Sequence, residues 1–147
     1  MSGVSERGTN VSKPRFAGVD DLLADARSRL TRLTPDEAEA AVRRGAGLVD
    51  IRPERQRIAE GEIPGAHIIE RNHLEWRLDP GSDARIAGAT PGRTWVVYCS
   101  EGYTSSLAAD ALNSIGVPAT DIDGGFLAWR DAGLPTVPGG TPVSPPR

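Results

Sequence analysis

Four short strand-like runs, each followed within a few residues by a segment of helical spacing, constrain this chain more than anything else in it. They are "GLVDIR" from Gly47, "HII" from His67, "TWVVYC" from Thr94 and "ATDID" from Ala119. Apolar runs as short as "GLVDI" and "WVVYC", without polar alternation, read as strands buried on both faces. Strands that alternate with helices at short intervals imply an α/β fold, a central parallel sheet flanked by helices on both faces. With 147 residues and no internal repeat, the chain suits one such domain with a core of its own.

The helices are punctuated by their caps. In "LTPDEAEAAVRRGAG", Thr34 and Glu37 have capping-box spacing, Pro35 takes the first helical position, and Gly45 stands where a C-terminal glycine belongs. Upstream, "VDDLLADARSRLTRL" places Leu22, Leu23, Ala26, Leu30 and Leu33 on one face, which predicts a helix over about 20–33. Further helices are expected at 54–60 and 72–78, and in "YTSSLAADALNSIG", with Leu107, Ala108, Ala111, Leu112 and Ile115 facing inward. The last is "FLAWRDAG". The domain is set at 20–138, between a polar, flexible N-terminal segment, 1–19, and a flexible Pro- and Gly-rich tail, 139–147.

The formal net charge of −3 lacks the basic excess that a nucleic acid partner would demand. The single cysteine cannot form an internal disulfide, so a reduced, cytoplasmic setting is the expectation. The opening "MSGVSERGTNVSKPRF" contains no apolar signal core, and no segment approaches the roughly 18 apolar residues of a membrane span. No oligomeric state follows from the sequence.

The cysteine, Cys99, ends the most apolar strand just before a helix, where ligands of open parallel sheets gather. The exposed N–H groups of a helix N-terminus favour an anion, and cysteines in such surroundings can have pKa values lowered from about 8.5 to roughly 3.5–7.5. Gly102 permits a positive φ within the turn, while Thr104 and Ser105 add hydroxyl donors. Spacing alone equally allows Cys99 to be one more small buried residue.

Three segments, "LVDIRPERQRIAEGEIPGAHII", "VVYCSEGYTSSLAADAL" and "DIDGGFLAWRDAGLP", in this order resemble the signature segments of the rhodanese family. The resemblance runs over about residues 33–138. It implies a rhodanese-like fold with an active loop from Cys99 to Thr104. In that family the loop cysteine takes a sulfane sulfur from a donor such as thiosulfate, becomes a persulfide, and passes the sulfur to cyanide or a thiol. Carried over, Cys99 is the nucleophile, and Ser100, Glu101, Gly102, Tyr103, Thr104 and Ser105 bind the persulfide or the donor. The implied partners are a small-molecule or protein sulfur donor and a thiol acceptor, and neither a metal nor an organic cofactor is implied.

Asp50 and Arg52 end the strand expected beside the Cys99 strand. An ion pair that pins the loops is one role for them, and contact with substrate is the other. Arg71 and Arg77 are the basic residues that the sequence order places best to reach a pocket mouth, with a solvated surface position as the alternative. Gly124, Gly125 and Trp129 are read as packing residues, and Trp76 as core or pocket wall. His67 and His73 lack the companions of a metal site. Two departures from the family stand out: Glu101 puts a carboxylate at the mouth of an anion loop, which disfavours thiosulfate, and Glu62 replaces a histidine that is usual before "IPGA".

Two rival readings have their own signatures. A cysteine phosphatase or arsenate reductase loop wants C-x5-R, with arginine clamping the phosphoryl oxygens, and here Ser105 holds that position. A regulatory or docking module without turnover often loses the cysteine, which this chain keeps. Having no second cysteine, the protein would need an external nucleophile to release its sulfur.

Overall fold

The computed structural model describes residues 12–147, so most of the segment expected to be flexible, 1–19, lies outside the described residues. The elements run α1 (Val19–Arg27), α2 (Pro35–Arg43), β1 (Gly47–Asp50), α3 (Glu54–Glu60), β2 (His67–Ile68), a 3-10 turn (Arg71–His73), α4 (Leu74–Leu78), β3 (Trp95–Tyr98), α5 (Thr104–Ser114), β4 (Ala119–Asp121) and α6 (Gly125–Asp131). The strands form one sheet in the order β2-β1-β3-β4, and every pair is parallel. Among the described residues, no helix is long and apolar enough to cross a membrane.

Both faces of the sheet are buried, as the unbroken apolar runs require. Val49, Val97 and Cys99 face one core with Leu74, Leu78, Ala108 and Leu112 of α4 and α5. Leu48, Val96 and Tyr98 face the other, with Ala38 of α2 and Phe126 and Trp129 of α6. Adjacent strand residues point to opposite faces, so the four residues of β3 fill two cores at once.

The expected capping box is present: Glu37 N donates to Thr34 Oγ1 at 3.2 Å, and Thr34 N donates to Glu37 Oε1 at 2.9 Å. The first helix, expected over 20–33, instead ends at Arg27. Tertiary pairing overrides its helical spacing: Leu33 N donates to Asp121 O (3.0 Å) and Asp123 N to Leu33 O (2.8 Å), an extended contact beside β4 that a continuing helix could not make. On α5 the buried face is Ser105, Ser106, Ala108, Ala109 and Leu112, whereas Ile115 is 49% exposed. Trp76 is not core: it is 60% exposed on α4, where it lines surface clefts beside Glu75 and Ile115 and beside Asn72 and Arg77, and not the Cys99 loop.

The segment 139–147, read as a loose tail from its composition, lies against the domain. Glu62 is buried and accepts from Arg57 Nη1, Thr141 Oγ1 at 2.6 Å and the Gly140 and Thr141 N–H groups, while Ser144 N donates to Ile68 O at 2.8 Å. Burial pushes the Glu62 carboxyl up, but the Thr141 and Arg57 donors outweigh it and hold the group below its ordinary value. The glutamate that replaces histidine is thus a structural anchor for the end of the chain.

Candidate active site

β3 delivers Cys99 to the carboxyl edge of the sheet, where it is 5% exposed. Gly102 N donates to Cys99 Sγ at 3.3 Å, and the thiol donates to Ser105 Oγ at 3.4 Å. The Ser105 hydroxyl donates in turn to Asp121 Oδ2 at 2.8 Å, as does that of Ser106. Gly102 takes a φ of +90°, and a Cβ there would stand 3.0 Å from both Arg32 Nη2 and Gly124 N, so glycine is required on two counts.

Three carbonyls of the loop are anchored to the rest of the domain. Cys99 O accepts from Phe126 N at 2.8 Å and Ser100 O from Leu127 N at 3.1 Å, both at the start of α6. A Cβ on Gly125 would lie 2.5 Å from Cys99 O, which is why glycine opens that helix and brings it so close. Gly102 O accepts from Arg27 Nη2 at 2.7 Å and Arg32 Nη2 at 2.9 Å. A trans peptide points its C=O and N–H opposite ways, so these anchors turn the N–H groups of Ser100, Glu101 and Tyr103 away from the body of the domain. No side chain caps the start of α5, which leaves the leading N–H groups of that helix for an anion.

The other expected site residues fall in different places. Ser100 is half-buried, with its hydroxyl on Gln56 Oε1 (3.0 Å) and Glu60 Oε1 (2.7 Å), so its side chain braces the loop against α3. Glu101, Tyr103 and Thr104 are exposed on the outer side. Asp50 and Arg52 are buried and joined bidentately, by Nε–Oδ1 at 2.9 Å and Nη2–Oδ2 at 2.6 Å, and the Tyr98 hydroxyl donates to Asp50 Oδ2 at 2.9 Å. Arg52 Nη1 continues to Glu60 Oε1 at 3.0 Å, the same oxygen that holds Ser100. The pair therefore pins the loop from behind. Burial pulls the Arg52 guanidinium down, but Asp50 outweighs it and keeps the charge, while burial and Asp50 together push the Tyr98 phenol well above its usual value.

Arg71 and Arg77 are not among the groups that bond to the loop. Arg71 pairs with Glu75 at 2.8 Å and Arg77 donates to Ala84 O at 3.2 Å, both beyond β2, with β1 standing between β2 and β3. The arginines at the loop are Arg27 and Arg32, which the sequence reading did not single out, along with Asp121 and Ser106. The three arginines of "ARSRLTRL" carried a signal of positive charge, but nothing local tells where they point. Arg32 also holds Asp121 (Nε–Oδ1, 2.9 Å) and Asp123 (Nη1–Oδ1, 3.1 Å). Burial alone would lower its pKa; Asp121 and Asp123, with the nearby Cys99 sulfur, raise it. Among the described residues, no group of His, Cys, Asp or Glu could hold a metal ion.

Residues 34–132 match the Rhodanese-like domain family. The chain is a rhodanese-family protein. Several relatives of this rhodanese domain carry the name thiosulfate sulfurtransferase: the thiosulfate sulfurtransferase GlpE of Pseudomonas entomophila is 34% identical over 116 residues, 78% of this chain and 94% of its own. An uncharacterized Synechocystis protein is 38% identical over 78 residues, but there the match spans only 41% of the relative's length. Among solved structures, a Rhodopseudomonas palustris protein of unknown function, described as a possible tyrosine phosphatase, aligns with a TM-score of 0.74 at 35% identity, covering 84% of this chain and 97% of its own.

Proposed function

We propose that this rhodanese domain is a sulfurtransferase that carries sulfur on Cys99. One observation supports this most: the sulfur sits inside a turn whose Gly102 N–H meets it at 3.3 Å and in which the carbonyls of Cys99, Ser100 and Gly102 are anchored elsewhere. The Cys99 thiolate attacks the outer sulfur of a donor such as thiosulfate or a persulfide, or the thiol sulfur of 3-mercaptopyruvate, whose C–S bond then breaks with the electron pair leaving on carbon as the enolate of pyruvate. With thiosulfate the S–S bond breaks, sulfite leaves with its electron pair, and Cys99 holds one added sulfur as a persulfide anion in the amide cradle. Cyanide or a thiol then attacks that sulfur, the new S–S bond breaks, and the thiolate is restored. The chain has no second cysteine, so the acceptor comes from outside.

A phosphatase reading suits the site less well. Ser105, where such a loop would have arginine, is buried against Asp121, so a carboxylate stands behind the position that should clamp phosphoryl oxygens. Intact mass before and after incubation with thiosulfate, 3-mercaptopyruvate or a persulfide, and again after cyanide, tests the proposal. The expected result is one sulfur atom gained on Cys99 and removed by cyanide. No gain from any donor, with the thiol free and reactive, would turn the reading to a binding module.

Glu101 is exposed at the loop, where its charge opposes a dianionic donor. Glu101→Lys is expected to raise kcat/KM for thiosulfate by about threefold or more at low ionic strength and less at high salt. An unchanged or lower value would remove the electrostatic argument.

A further inference from the structure

The stretch from Arg27 to Arg32 precedes the family match, which starts at residue 34, yet it reaches the loop directly. From the last turn of α1, Arg27 donates through Nη2 to Gly102 O (2.7 Å) and through Nε to Ser106 Oγ (3.1 Å). From the extended segment that follows, Arg32 donates to the same carbonyl at 2.9 Å while its Nε and Nη2 grip the buried Asp121. Between them Arg29 forms a bidentate pair with Asp110 of α5, at 2.8 Å for each bond, and touches nothing in the loop.

We propose that Arg27 and Arg32 are positioning residues for the anion cradle of Cys99: by clamping one peptide between Gly102 and Tyr103 they set and polarise the Tyr103 N–H, and Arg27, which bonds no carboxylate, adds positive charge that the loop itself lacks. Two features carry this. A carbonyl that accepts from two guanidinium groups is held in one orientation, and in a rigid trans peptide its N–H must then face the opposite way. Hydrogen bonds to one end of a peptide also strengthen the donor at the other. The loop "CSEGYT" contains no basic residue and one acidic one; Arg32 shares its charge with Asp121 and Asp123, so the positive charge beside the loop comes from Arg27. Arg27 also lies 5.9 Å over the Tyr103 ring, on the same clamped residue.

The inference rests on the sulfurtransferase reading for its substrate, but its test does not. Alkylation of Cys99 by iodoacetate and by iodoacetamide follows the same chemistry with an anionic and a neutral reagent, so the ratio of the two rates reports the cradle. Arg27→Ala, which leaves no buried charge unpaired, is expected to lower the iodoacetate-to-iodoacetamide ratio by about three- to tenfold, with Arg27→Lys recovering part of it. Arg32→Lys should lower it in the same direction. Arg29→Ala loosens the same segment without touching the loop and is expected to leave the ratio at the wild-type value. A wild-type ratio in Arg27→Ala, or an equal fall in Arg29→Ala, overturns the proposal, because the arginines would then be staples for α1 and nothing more. If the wild-type protein takes sulfur from no donor and Arg27→Ala still loses its preference for the anionic reagent, the clamp stands and the sulfurtransferase reading falls.

Discussion

Cys99→Ser will accept no sulfur from any donor and will lose turnover to background while remaining folded. The serine hydroxyl is close in size to the thiol and can donate to Ser105 Oγ as the thiol does, so neither a cavity nor an orphaned acceptor results. Its stability should stay within about 1 kcal/mol of the wild type. A hydroxyl is not ionised near neutral pH and has no sulfur to form a disulfide-type bond, so the chemical step is removed whole. The check is intact mass after each donor together with steady-state thiocyanate formation, with thermal unfolding run alongside. Retained turnover in this variant would sink the covalent mechanism, since no second thiol exists to replace Cys99.

The other large effect is on stability. Asp50→Ala strands the Arg52 guanidinium, which is 1% exposed, with only Glu60 Oε1 and Gly61 O to accept from it, and takes the acceptor from the Tyr98 hydroxyl. Removing one partner of a buried ion pair typically costs about 3–5 kcal/mol, which for a chain of this size corresponds to a fall in Tm of about 10 °C. Adding Arg52→Met should recover part of the loss, because a methionine fits against Phe126, whose ring Arg52 now covers at 4.3 Å. Urea unfolding reads both: the midpoint falls for the single variant and rises again for the double, with the slope unchanged. An unchanged midpoint in Asp50→Ala would mean that the pair does not hold the end of β1 and, through Glu60, the start of the loop.

Much of this architecture was legible in the sequence because its causes are local. A run such as "WVVY", short, β-branched and aromatic, reads as a strand buried on both sides; Thr34, Pro35 and Glu37 specify a helix start from four consecutive residues; Gly102 announces a turn that other residues resist. The place of Cys99 followed from the same logic, since a strand that ends before a helix brings its last residue to the carboxyl edge of the sheet; its reading as a nucleophile came from the family resemblance, because spacing alone equally allowed a small buried residue. Where the reading and the structure part, the decisive partner lies far along the chain. The helix expected over 20–33 stops at Arg27 because Leu33 finds Asp121 and Asp123, about ninety residues away. Trp76, read as core or pocket wall, is not core, because α4 is five residues long and turns that side chain outward onto surface clefts.

The sequence by itself thus determined the strands, the helix starts, the parallel α/β class and the place of Cys99, all of which depend on backbone preference and on which residues water rejects. Only the tertiary structure decided which charges distant in sequence meet. Arg71 and Arg27 are chemically the same, yet one pairs with Glu75 beyond β2 and the other holds the carbonyl of Gly102. Glu62 likewise anchors a tail that its Pro and Gly content made look loose. Charge acts through separation in space, and a guanidinium on a long flexible side chain carries no local mark of the carbonyl or carboxylate it will find once the chain has folded.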